Sequence, residues 1–317
     1  MSKVTDLLSR EEIRQLRRAS NWRGAWSVTF SWGLIFAAMA LVVWLPSVAT
    51  VLAALVIIGG RQLGLAVLTH ETAHYSLFAS KPANQIIGRW LCGAPMWVHV
   101  DDYRTHHIGH HTRTGTDDDP DLGLIRPFPT SAKSLARKFA RDLTGITAAK
   151  RVFGLSLMDS GRMKYTASVD LTWLDRRSLA SHAVQWIRTA WPVVLTNAAL
   201  LGLLTLVGHP LLYLLWVGAW CTTYSAILRI RSIAEHACTE RTDDQLRNTR
   251  TTHANVLARL LWAPHHVNYH LEHHLLMTVP HYNLAAMHAM LRERGVFDDN
   301  NYAAGYFTVL QRAVTPR

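Results

Sequence analysis

Cysteine is scarce. The chain has three in 317 residues, Cys92, Cys221 and Cys238, an odd number with no C-x-x-C pair. That excludes a disulfide scaffold and an iron–sulfur cluster, and it fits a reducing compartment. Charge is missing from two long stretches. Ser27 to Leu45 holds only apolar, small or hydroxyl side chains, and Val48 to Leu68 departs from this only at Arg61 and Gln62. Lysine and arginine are also absent from the links Pro46-Ser47 and Gly208-His209-Pro210. No internal repeat, low-complexity tract or linker interrupts the chain, so it reads as one domain over residues 1–317. No nucleic-acid motif accompanies the formal net charge of +11, which argues against a nucleic-acid partner. The first 25 positions are too rich in polar and charged residues, and the apolar run after them too long, for a cleavable signal.

What is present is a membrane pattern. Each apolar stretch of the first pair is roughly 30 Å long as a helix, the thickness of the hydrocarbon layer. A second pair is expected at Trp191–Val207 and Leu211–Leu228. The predicted fold is all-α: four transmembrane helices in two hairpins, 27–69 and 191–228. An interfacial helix over 1–26 precedes them, and a helical cytoplasmic cap is built from 70–190 and 229–317. In the first 26 residues Leu7, Leu8, Ile13 and Leu16 form the apolar positions, with Trp22 and Trp26 at the interface. Arg10, Arg14, Arg17, Arg18 and Arg23 precede the first span. This bias places both termini and the long central segment in the cytoplasm. Ile86 to Val98 is too short to span and reads as an interfacial or re-entrant helix broken at Pro95. Leu135, Phe139, Leu143 and Ile146 recur at helical spacing among basic residues, which suits a helix on an anionic bilayer or one packed on the rest of the cap. A further amphipathic helix is expected near Asn283–Leu291.

The chemistry lies in three histidine clusters on the same side of that membrane: His70 and His74; His107, His110 and His111; His270, His273 and His274. Spacings of three and four put imidazoles on one helical stripe, and imidazoles packed this densely are most economically explained as metal ligands. His70-Glu71-Thr72-Ala73-His74 also matches the H-E-x-x-H pattern of zinc proteases, with Glu71 as general base. A membrane zinc protease is therefore a rival, although a catalytic zinc takes only three protein ligands. A membrane haem protein would hold its axial histidines within the spans, and these clusters sit at helix ends and beyond.

In order and setting, the three boxes resemble those of the membrane fatty acid desaturase superfamily over roughly residues 50–290. That superfamily includes acyl-lipid and sphingolipid desaturases, related hydroxylases and carotenoid ketolases. The resemblance implies two iron ions, dioxygen as co-substrate, and nine ligands. Eight come from the boxes, and the ninth is His236, within Arg231-Ser232-Ile233-Ala234-Glu235-His236. His106, His265 and His266 fall outside the pattern. The run Gly115-Thr116-Asp117-Asp118-Asp119-Pro120-Asp121 resembles the acidic stretch after the second box in several members. It reads as an Asp-Pro turn for most of its aspartates, with carboxylates that orient imidazoles as the alternative. Glu71, Glu235 and Glu272 sit beside box histidines and are candidates for the same support. No cytochrome, flavin or iron–sulfur motif is present, so two electrons must come from a separate ferredoxin, or from cytochrome b5 with its reductase. The three-residue spacer of the first box resembles acyl-lipid, sphingolipid and carotenoid enzymes more than acyl-CoA ones. The resemblance implies a lipid acyl chain as substrate, desaturated or hydroxylated, with a carotenoid ring as the alternative. The membrane expected is a bacterial inner membrane ahead of the endoplasmic reticulum.

Overall fold

The computed structural model describes residues 4–168, 171–175 and 177–314. They are mostly helical, and the only strands among them are the parallel pair Thr251–Thr252 and Tyr302–Ala303. Four helices are long and apolar enough to cross a bilayer: Asn21–Trp44, Val48–Ala73, Leu179–Leu206 and Pro210–His236. This is a membrane protein.

The spans begin and end for local reasons. Ser20 opens the first by accepting a hydrogen bond from the Arg23 amide, and Pro46 ends it. Ser47 and Thr50 form a reciprocal capping box that restarts the chain as the second span. The second span does not stop at Leu68 where the apolar run ends. It continues to Ala73, which places His70 on the helix and His74 at its C-cap. Tyr75 then turns left-handed (φ 56°), and Arg104 satisfies the exposed end by donating from Nε to the Ala73 carbonyl at 2.8 Å.

The second pair is longer than its apolar runs. The third span begins twelve residues before Trp191, at Leu179, and that added stretch carries His182, Gln185 and Arg188. The fourth passes Leu228 and runs to His236, interrupted only at Thr222 (φ −123°, ψ −85°). The charges that mark an exit in sequence are neutralised. Arg229 forms two contacts with the buried Asp142, at 2.5 and 2.7 Å, and Arg231 meets Glu235 at 2.5 Å. Several polar groups within the spans are answered from inside the protein, as a bilayer demands. Tyr213 and Trp216 both donate to the Asn197 side-chain oxygen at 3.1 Å, and Gln62 donates to the Trp216 carbonyl at 2.8 Å.

Between the second and third spans the chain changes winding where a break at Pro95 is expected. The helix Lys81–Ile87 widens into a π-helix over Gly88–Gly93, then tightens to a 3-10 turn at Ala94–Met96. The π-helix starts at Gly88, where only a glycine lets the chain pack this closely on the second span: a Cβ there would lie 2.7 Å from the Thr72 Cβ. Leu135 and Phe139, on the helix Ala132–Leu143, pack into the main core, so that helix sits on protein along this face. The N-terminal helix Arg10–Leu16 behaves likewise. Leu8 and Leu16 are buried against Leu271, Leu275, Leu284 and Met287, with Leu7 and Ile13 beside them, instead of being left for lipid. The helix Leu284–Glu293 lies where the amphipathic pattern near Asn283–Leu291 places one.

Candidate metal centre

Four helices and one helix end deliver nine buried histidines to one region. They fall into two groups. One contains His70, His74, His107, His111 and His273, the other His110, His236, His270 and His274; within each, one nitrogen from every ring lies within 4.8 Å of the others. Pairs separated by four stay together: His70 with His74, His107 with His111, His270 with His274. The residue at the spacing of three crosses over, so His110 joins the second group and His273 the first. The expectation of one shared stripe per box is thus refined. On a helix, residues four apart point nearly the same way and adjacent residues diverge by about 100°.

The hydrogen bonds at the outer ring nitrogens fix what the inner ones can do. His236 Nδ1 lies 3.0 Å from the Asn248 carbonyl, which can only accept, so Nδ1 carries the proton and Nε2 a bare lone pair. His110 Nδ1 lies 2.8 Å from Asp119 Oδ1, which places a proton on that Nδ1 as well, and His270 Nδ1 lies 3.3 Å from Glu235 Oε1. Thr114 donates to the His110 carbonyl and faces His274 Nδ1 at 3.5 Å, leaving His274 Nε2 without a protein partner. The Nε2 atoms face each other, His236 to His270 at 2.8 Å and to His110 at 3.2 Å. In the neutral rings these nitrogens converge as lone pairs that suit a shared cation, which would take the place of any proton held between them.

In the five-histidine group, His111 Nε2 is 3.0 Å from both His107 Nε2 and His273 Nε2. His74 Nε2 and both nitrogens of His70 also lack a hydrogen-bond partner. Burial, then the neighbouring imidazoles, holds His107, His111 and His273 well below the ordinary histidine range. Burial and Arg104 bring His74 to about 3. These rings are neutral near pH 7, the state in which imidazole binds metal. Burial opposes charge on His110 as well, but the Asp119 hydrogen bond and the charges of Asp121 and Asp119 outweigh it and raise its pKa. Both groups fit a metal site. The all-imidazole donor set suits zinc, copper, iron or nickel.

The acidic run serves as a turn and as support. Asp119 accepts the backbone amides of Gly115 and Asp121 while holding His110; Asp121 holds His106 at 2.8 Å, and Asp117 pairs outward with Arg241. His106 is therefore outside both groups, as are His265 and His266. Glu71 lies 3.3 Å from His70 Nδ1, but its other oxygen accepts from the His281 amide at 2.8 Å and from Ser76. Glu272 bonds Thr251 and the His288 ring, and so anchors its helix to neighbours rather than supporting an imidazole of either group. Sequence reasoning passed over His288, Thr114 and the Asn248 carbonyl. A backbone acceptor leaves no signature in sequence, and His288 lies in no box.

Known proteins match this chain at length. A family model described as fatty acid desaturase covers residues 44–306. Dihydrorhizobitoxine desaturase of Bradyrhizobium elkanii is 27% identical over 284 residues, 86% of this chain and 76% of that protein. The sn-1 oleoyl-lipid 12-desaturase of Synechocystis sp. is 24% identical over 250 residues, 74% of this chain and 66% of that protein. A match reaching from the end of the first span to beyond the third box takes in both histidine groups, and the chain belongs to the fatty acid desaturase family.

Proposed function

We propose that this protein is a dioxygen-dependent desaturase that uses two irons to place a double bond in an acyl chain of a membrane lipid. The observation that carries the reading is the set of buried imidazole nitrogens converging in two groups. His70, His74, His107, His111 and His273 would hold one iron, and His110, His236, His270 and His274 the other. When bound, such a pair supplies the activation of dioxygen needed to take hydrogen from an unactivated C–H bond. In balance, two substrate hydrogens, two donor electrons and two protons reduce one dioxygen to two waters. The electrons come from a ferredoxin, or from cytochrome b5 with its reductase.

The chain's own part is to bind, orient and exclude water. All nine rings are buried, so the oxidant would form away from solvent. Asp119 and the Asn248 carbonyl fix the tautomers of two of them, and Glu235 lies 3.3 Å from the Nδ1 of a third, His270. Tyr103 stacks on His107 with ring centroids 5.2 Å apart, holding that ring's plane. In this reading the spans form two hairpins, and the histidines lie in a cap on the cytoplasmic side of a bacterial inner membrane, below which a lipid substrate is at hand. Both relatives are named as desaturases, which favours desaturation over hydroxylation or ring ketolation. Nine converging histidines in two groups disfavour the zinc-protease reading, because a catalytic zinc takes three protein ligands and a water.

The test combines metal and product. Purified protein should carry two irons per chain, and His107→Ala and His273→Ala should lose metal while remaining in the membrane. Mass spectrometry of lipids from expressing cells should show acyl chains lighter by two hydrogens. One zinc per chain, an added oxygen, or an unchanged lipid profile with new pigment ketones would each replace this reading with a different one.

A further inference from the structure

Outside the four spans, the short helix Val256–Leu261 lies against the middle of the second one. Gly60, the thirteenth of the 26 residues from Val48 to Ala73, is where they touch: a Cβ there would fall 2.8 Å from the Leu261 carbonyl oxygen. That contact is about 20 Å along the helix axis from either end, at 1.5 Å per residue. Beside it Arg61, buried within the span, donates from Nη2 to the Leu260 carbonyl and, at 3.3 Å, to the Arg259 carbonyl. These carbonyls belong to the open end of the short helix. In a hydrocarbon layer such groups must be satisfied by protein, and an arginine in a span is costly without such a task. The guanidinium also lies 5.9 Å from the ring of Phe30, on the first span.

The outer face of this short helix is apolar and uncovered, with Val256 85% and Leu257 55% exposed. The spans it packs beside also carry exposed apolar side chains, Phe30 and Trp26 on the first and Val56 on the second. The neighbouring Arg259 directs its guanidinium to the Tyr269 hydroxyl at 3.4 Å, toward the third box and away from those two side chains. We infer that residues 255–261 are a fifth membrane-inserted element, which enters the lipid from the side of the histidine groups and returns without crossing. Arg61 anchors its end inside the bilayer. The partner of the Val256 and Leu257 face is lipid hydrocarbon.

Cysteine labelling of the full chain in open membrane fragments tests this, read peptide by peptide in a mass spectrometer so that the native cysteines stay in place. The probes are a water-soluble, membrane-impermeant maleimide and a lipid-soluble, photoactivated diazirine, which inserts without needing a thiolate. Val256→Cys and Leu257→Cys should react with the lipid-soluble reagent as Leu203→Cys does, a position on the apolar outer face of the third span. They should lose labelling by the impermeant reagent relative to the exposed Asp118→Cys. Reaction with the impermeant reagent at the Asp118→Cys rate would place the helix in water. Reaction with neither would place it under protein, and either result overturns the inference. Both substitutions are at exposed positions, and Leu257→Cys repeats the test should Val256→Cys reach the membrane poorly.

Discussion

Among single residues, Asp119 illustrates how one side chain can serve a turn and a site together. It is buried, it accepts two backbone amides of its own loop, and its Oδ1 holds His110 Nδ1. Asp119→Asn removes the charge and one of the two acceptor oxygens, so with its oxygen at the Oδ1 position it keeps the Asp121 amide and gives up that of Gly115. Loss of a partner behind a metal-binding imidazole generally costs 10–100-fold in affinity, so this variant should bind one of two metals about tenfold more weakly in a competition titration. Binding of both metals unchanged would reduce Asp119 to a turn residue. Glu71→Gln separates oxidase from protease. Glutamine still offers an oxygen to the His281 amide, so lipid analysis should find product retained, whereas complete loss of turnover would restore a general-base role. At this scale the sequence was informative for a physical reason: the spacing of three and four along a helix shows directly in residue numbers. The partition between the two groups was not legible. It depends on how helices from distant parts of the chain meet, as when His273 crosses to His111 and His107.

At the scale of elements, apolar runs located the spans, and their ends were misplaced wherever charge was paired. Arg229 looks like an exit from the membrane until Asp142, 87 residues earlier, is seen against it. That pair lets the fourth span continue to His236, joining a structural contact to the placement of a ring in the second group. Asp142→Ala would leave Arg229 unpaired and partly buried. Breaking such pairs costs about 3 kcal/mol or more, and a lower melting temperature in detergent, with reduced metal content, should follow. An unchanged melting temperature would show that water serves Arg229 equally well. The early start of the third span and the π-helix at Gly88 had no comparable signal. One adds His182, Gln185 and Arg188 to the helix ahead of its apolar run, and the other begins where Gly88 lets Thr72 approach closely.

At the scale of the whole molecule, the fold buries many neutral histidines, and this sets its response to acid. His74 is lowered to about 3 by burial and Arg104, His266 to about 4 by burial and nearby arginines, and His281 to about 3 by burial and His266. An unfolded chain takes up these protons below the ordinary value of 6.5, while the folded one resists them. Their stabilising contribution is complete above pH 6.5 and drains away as the pH falls toward 4. Thermal unfolding of metal-free protein should therefore show a melting temperature that declines steadily across that interval; a flat profile would mean that these rings reach water. The packing of the N-terminal helix on the third box belongs to this scale too, and amphipathicity alone could not tell protein from lipid as its partner.

The crossing of adjacent histidines between groups has a mechanical consequence. His110 and His111 are covalent neighbours facing different groups, as are His273 and His274. A single peptide unit, about 3.8 Å from Cα to Cα, thus twice forms a rigid yoke between the two histidine groups. Slippage of either helix would drag both positions together, so the gap between them resists thermal breathing better than their location within the protein does.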